Sequence, residues 1–424
     1  MSANDAHEAV REVFRAQSAR LVGGLVRLVR DIGLAEELAQ DALVAALEQW
    51  PESGIPNNPG AWLQAAARNR AINVLRHDAL VARKHERLAP LERERVRPDL
   101  EAKIDDEVGD DVLRLILIAC DPVLPLESRV ALTLRLLCGL TTSEIARAFL
   151  VPEPTIAQRI VRAKRTLGEA ELPFEVPRGQ RLAERLASVR HVVYLVFNEG
   201  YAATAGDDLM RPHLCDDALR LGRMLVELAH DDAEAHGLLA LMELQQSRAS
   251  TRVDEAGDPV LLMDQDRACW DRRLIEHGLA ALERAEALAS ERGRYTIQAA
   301  IAACHARARS GRETDWPRIV SLYAELAAVA PSPVVELNRG IAIAMAEGAA
   351  AGLEALDALV EEPSLRNYHP LPSARAHLLE KLGRTEEARS EFERAASLTE
   401  NLRQRTRLLG RARACASDEK KRPG

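Results

Sequence analysis

Between Gly139 and Leu167 the chain reads as two short helices joined by a turn, and few folds accommodate that pattern. Thr141 followed three residues later by Glu144 is a capping box, which starts a helix by satisfying two of its orphan amides. Ile145 and Phe149 then share its inner face. Pro152 and Pro154 stop this helix and open the next one. There Ile156, Ile160, Ala163 and Leu167 recur at helical spacing and form an apolar stripe. The outward set is then Thr155, Gln158, Arg159, Arg162, Lys164 and Arg165. Amides and guanidinium groups donate to base edges, and positive charge meets phosphates. A helix-turn-helix with such a second helix has the geometry of a major-groove reader.

Overall charge does not advertise nucleic-acid binding. The formal net charge of the 424-residue chain is −8, with 23 basic against 25 acidic side chains in residues 1–170 and 34 against 40 in the rest. DNA contact then rests on local patches, or on joining a larger assembly. Six scattered cysteines (Cys120, Cys138, Cys215, Cys269, Cys304, Cys415) form no Cys-x-x-Cys pair, and the start lacks a basic segment followed by an apolar run. These features suit a reducing cytoplasm. The apolar stretches at 192–197 and 341–346 are far shorter than the roughly 20 residues a bilayer requires, so no membrane partner is expected.

The periodicity is helical throughout, and the expected fold class is all-α. Residues 8–77 form a first helical unit, interrupted by the proline, glycine and asparagine punctuation of Pro51 to Pro59. Residues 78–111 dissolve into charge, from Arg83, Lys84 and Arg87 to Asp106, Asp110 and Asp111, as solvated linkers do. A second unit at 112–172 holds the helix-turn-helix, and Pro173 to Gly179 marks another boundary. In the remainder, residues 180–415, Ala376, Gly383, Ala388, Phe392 and Ala395 sit at the packing positions of a tetratricopeptide (TPR) repeat. Tyr323 with Pro331, and the stretch from Gly340 to Gly348, repeat parts of that pattern. Helix pairs of this kind stack into a solenoid.

Taken together, these units resemble the extracytoplasmic-function branch of the sigma-70 family of bacterial RNA polymerase sigma factors, in the group with a long TPR-like C-terminal extension. The helix from Leu34 to Trp50 is similar to the one that such factors dock on the clamp coiled coil of the polymerase β′ subunit. Glu37 and Asp41, one turn apart with Gln40 beside them, form an acidic and amide rim suited to arginines on a partner helix. Pro59 to Arg76 looks like the helix that opens the −10 promoter element. Leu63, Ala67, Ala71 and Val74 make its buried stripe, and Asn69, Asn73 and Arg76 share another face with Arg68 adjacent. Amides and arginines suit unpaired bases and phosphates. The resemblance places the pocket for an extruded base in the loop from Glu52 to Asn58. Trp62 is either a stacking platform or, as is commoner at a helix start, a core anchor.

The second unit looks like sigma domain 4, which reads the −35 element as duplex. On this reading Thr155, Gln158, Arg159, Arg162 and Arg165 meet the DNA, and the implied partners are core polymerase through its β′ clamp and β flap, together with promoter DNA. Two positions depart from the family pattern: Leu150 stands where a turn glycine is common, and Asn73 where many members carry aspartate. A protein or peptide partner is expected for the C-terminal helices.

Phosphate-cradling glycine loops, His-Glu-x-x-His and Gly-x-Ser-x-Gly are missing from the sequence, so an enzyme is not expected and neither a cofactor nor a metal is implied. A calcium loop starting at Asp264 fails because Cys269 stands where glycine is needed and Ile275 where glutamate is needed. Asn198 to Tyr201 offers polar groups that helix caps and interhelix hydrogen bonds explain as well as a binding groove does. The rival to the sigma reading is a stand-alone helix-turn-helix regulator with a TPR-like sensor.

Overall fold

A computed structural model describes residues 3–86, 108–149, 151–170, 179–202, 205–206, 210–254 and 258–419. Most of the charged stretch and Leu150 lie outside the described residues. The chain divides into two compact units, residues 1–192 and 193–424.

Unit one contains α1 (Ala3–Val29), α2 (Ile32–Ser53), α3 (Pro59–Glu86), α4 (Val108–Ala119), α5 (Leu126–Leu136), α6 (Thr142–Phe149), α7 (Glu153–Glu169) and the first half of α8 (Gln180–Tyr201). The starts follow from local chemistry. Asp31 caps α2 by accepting from Leu34 N at 2.7 Å, and Asn58 caps α3 by accepting from Ala61 N at 3.1 Å, with Pro59 in the first turn. The stretch expected to be linker is shorter than its charge pattern suggests, because α3 continues to Glu86 and α4 begins at Val108. Asp111, inside that stretch, is buried and ion-paired to Arg27 at 3.2 Å and Arg114 at 2.9 Å.

The helices of the first expected domain pack on one another and on those of the second. α1 lies against α2 and α3, and also against α4 and α5, while α2 touches α7. Gly23 lies at a close crossing: a Cβ there would stand 2.9 Å from the backbone oxygen of Asp111. A side chain would therefore force the helices apart. Ser18 Oγ, fully buried, donates to Leu137 O at 3.0 Å across the same interface.

Gly139 has φ 68, and its left-handed backbone closes α5 and aims the chain into α6. The first half of α8 belongs to unit one through side chains: Arg185 pairs with Asp121, Ser188 Oγ donates to Cys120 O at 2.6 Å, and Arg129 donates to Ser188 Oγ at 2.7 Å.

Unit two continues α8 and adds α9 (Pro212–Leu228), α10 (Ala233–Gln246), α11 (Arg272–Leu288), α12 (Arg294–Arg307), α13 (Trp316–Val329), α14 (Pro333–Ala346), α15 (Ala349–Asp357), α16 (Pro370–Lys381), α17 (Thr385–Leu398) and α18 (Leu402–Glu419). From α9 to α18 the helices pack on their sequence neighbours, and α12 packs most extensively on α10, two helices earlier, an arrangement like that of a TPR-like helical repeat. Ala376, Ala388, Phe392 and Ala395 are all fully buried in the α16–α17 hairpin, which turns at Gly383. α12 has no side-chain cap of its own. Glu234 of α10 supplies one, accepting from Tyr295 N at 2.9 Å and from Thr296 N at 3.1 Å. Two-residue strands, β1 (Ala205–Gly206) and β2 (Glu400–Asn401), pair in parallel and join the two ends of this unit. Arg403 and Asp258 form an ion pair at 3.7 Å.

Candidate nucleic-acid interface

The capping box forms as the residues require. Glu144 N donates to Thr141 Oγ1 at 3.1 Å, and Thr141 N donates to Glu144 Oε2 at 2.8 Å. The stripe of Ile156, Ile160, Ala163 and Leu167 is buried, at 1–6% exposure, so the inner face of α7 is committed to packing. Removing one such side chain costs about 2–5 kcal/mol for Ile or Leu to Ala. On the opposite face Gln158, Arg162 and Arg165 are exposed, and Thr155 and Arg159 are half-buried beside them. Arg165 reaches Glu169 at 3.5 Å, an exposed pair worth little. Val161, 65% exposed, lies among these polar groups; helical spacing gave no reason to single it out.

Lys164 departs from the outward set. It ion-pairs with Glu36 of α2, and Arg135 of α5 donates its Nε to the same carboxylate at 2.6 Å. Gln40 adds a third donor at 2.7 Å. The Glu36 side chain is 7% exposed. Burial pushes its carboxyl up, but the Lys164 ammonium and the Arg135 guanidinium outweigh that and hold it below its ordinary value. Of the rim residues, Glu37 and Asp41 are exposed, whereas Gln40 is half-buried and engaged with Glu36.

On α3, Leu63, Ala67 and Ala71 are fully buried and Val74 is half-buried. Asn69, Asn73 and Arg76 line an exposed face, with Arg68 half-buried next to it. Trp62 is half-buried, its ring edge-on to that of the buried Trp50 with centroids 5.5 Å apart, so it both anchors the helix start and leaves ring surface open. The loop before α3 is mostly exposed.

Elsewhere, Glu199 ion-pairs with Arg211, and Arg252 stacks 3.6 Å from the centre of the Tyr201 ring, so the Asn198 to Tyr201 segment serves interhelix packing. Burial pushes the Cys120 and Cys215 thiols up to about 12, which makes them poor nucleophiles. A cavity of about 490 Å³ in unit two is lined by Glu286, Arg292, Cys304, Glu313 and Arg318 among others. Among the described residues, no cluster of His, Cys, Asp and Glu fits a metal ion, and no helix is long and apolar enough to cross a membrane.

Comparison with known proteins finds a family match over each of the two helices with an exposed polar face. The family model for sigma-70 region 2 matches residues 13–80, and that for sigma-70 region 4 matches residues 114–167. A family of unknown function, DUF6596, matches residues 185–286. The uncharacterized protein R00370 of Rhizobium meliloti (strain 1021) is 43% identical over 386 residues, covering 90% of this chain and 89% of that protein. The crystal structure of yeast Tom70 aligns at a TM-score of 0.39 and 10% identity, over 99% of this chain and 86% of that one, too low a score to establish a common fold.

Proposed function

Because the chain belongs to the sigma-70 family of RNA polymerase sigma factors, which bind core polymerase and promoter DNA, we propose that it is a dissociable initiation subunit of the extracytoplasmic-function branch, regulated through its C-terminal helices. α2 docks on the β′ clamp through Glu37, Gln40 and Asp41, and the helix-turn-helix unit sits at the β flap. α3 holds the opened −10 strand with Arg68, Asn69, Asn73 and Arg76, and Trp62 offers a stacking edge. α7 reads the −35 duplex with Thr155, Gln158, Arg159, Arg162 and Arg165. Phosphoryl transfer belongs to the polymerase, and the chain works beside it in the cytoplasm.

The observation that carries this reading is a pair of exposed polar stripes on helices whose opposite faces are buried: amides and an arginine on α3, an amide and arginines on α7. The first suits single-stranded bases and phosphates, the second a major groove. The near-neutral charge of residues 1–170 fits a protein that gains its DNA affinity on the polymerase. In unit two, the stacked helices and the cavity of mixed charge offer a surface for a peptide or protein signal.

Run-off transcription with bacterial core polymerase, on templates selected from a randomised promoter pool, tests the reading. The expected result is a discrete transcript only when this chain is added. Tight sequence-specific duplex binding without polymerase, and no transcript with it, would replace the reading with that of a stand-alone regulator.

A further inference from the structure

The −10 and −35 elements are named for positions about 25 base pairs apart, which at 3.4 Å per base pair is about 85 Å of duplex. α3 packs on α2, and α2 on α7. Two successive packing distances of about 8–10 Å each, offset by at most the roughly 33 Å length of α2, keep the contact points of α3 and α7 within about 40 Å of one another. Even the full length of α3, about 42 Å at 1.5 Å per residue, does not extend that to the separation of the two elements. The described arrangement of unit one therefore cannot engage both elements at once, and it must open.

What holds it closed is specific. Gly23 admits the backbone of α4 at a distance no side chain would allow, Ser18 donates across to Leu137, and Arg27 reaches Asp111. The contact that involves the reading helix itself is made by Glu36, a buried carboxylate on the docking helix that gathers Lys164 from α7 and Arg135 from α5. Burial opposes the charge on this acid, but the Lys164 and Arg135 cations outweigh it, so the cluster favours the closed form.

We propose that Glu36 is a latch: in the free chain it holds the recognition helix α7 against the polymerase-docking helix α2 through Lys164, and promoter engagement requires that Lys164 be released to the DNA. This inference rests on the two-element reading above. A cationic partner helix meeting Glu37, Gln40 and Asp41 competes for the same acid, because Gln40 already donates to Glu36. Docking and release of α7 are thereby coupled through one carboxylate.

The test uses the full chain without polymerase, so its outcome is independent of whether the chain supports transcription. Glu36→Gln keeps the side-chain shape and removes the charge. Lys164→Gln breaks the pair from the other side, and Lys164→Arg preserves it. The sequence contains six lysines, so acylation of Lys164 relative to the exposed Lys381 is readable by mass spectrometry.

In Glu36→Gln, Lys164 labelling is expected to rise, the radius of gyration from small-angle scattering to grow, and affinity for a 30-base-pair mixed-sequence duplex to increase by about 5- to 150-fold, the usual range of such couplings. Lys164→Gln should expand likewise, and Lys164→Arg should stay compact. Should Glu36→Gln fail to fold by circular dichroism, the scattering of Lys164→Gln decides. Wild-type compactness in every folded variant, with unchanged duplex affinity, would overturn the latch.

Discussion

Arg162 and His305 show how differently single side chains serve this protein. Arg162 is exposed on α7, above a stripe that is wholly buried, and so has no packing duty. On the sigma reading, Arg162→Ala leaves the melting temperature within a degree or two and weakens promoter binding by the holoenzyme. The weakening amounts to about 1–3 kcal/mol if the side chain reads a guanine, and is confined to one base position. A smaller loss, uniform across all −35 sequences, would instead mark a phosphate contact. His305 is half-buried beside the Trp316 ring, and desolvation, with the nearby Arg248 and Arg267 cations, lowers its pKa to about 4. Between that value and the ordinary one near 6.5 the unfolded chain binds a proton that the folded chain refuses. Stability of unit two should therefore fall as pH drops from about 6.5 toward 4, with no further loss from this group below. His305→Gln should flatten that part of the curve in thermal unfolding measured against pH.

Helix α6 depends on a reciprocal pair of hydrogen bonds between Thr141 and Glu144. Thr141→Ala should destabilise unit one by about 1 kcal/mol, the usual cost of losing a cap, and Thr141→Ser should recover most of it in urea unfolding. This element was legible in the sequence because its signals are local. A capping box, two prolines and a 3.6-residue stripe all act within one or two turns, and so do Asn69, Asn73 and Arg76 on α3 and the small residues buried in α16 and α17. Interactions between distant segments were not legible. Spacing along α2 pointed to Glu37, Gln40 and Asp41, but the acid of α2 that ties it to α5 and α7 is Glu36, whose partner Arg135 lies 99 residues away. Lys164 read as an outward residue for the same reason. Glu234 caps α12 across 62 residues, a partnership no helical period can reveal. Charge composition also overstated the stretch between α3 and α4, since Asp111 is folded into the interface with Arg27 rather than solvated.

At the scale of the molecule, where the chain is cut matters. The composition change near Pro177 suggests a boundary there, but Arg185 and Ser188 bind Asp121 and Cys120 of unit one, so a chain ending near 177 would strip a buried carboxylate of its partner. A chain of residues 1–192 keeps these contacts. Compared with the full chain in run-off transcription, it should give a different yield from the same promoter. Equal yields, with and without candidate peptide partners, would leave unit two idle in initiation. Unit two also has an unusual topology for a stack of helix pairs. Open solenoids fray from their termini and need polar repeats to seal them. Here the pairing of Ala205–Gly206 with Glu400–Asn401 makes the first and last parts of the stack neighbours. Melting that runs inward past α18 must therefore break this pairing with the beginning of the unit before it reaches α17. Such a closed array loses the freedom to gain or shed repeats at its end, and its length is fixed by the need to meet itself.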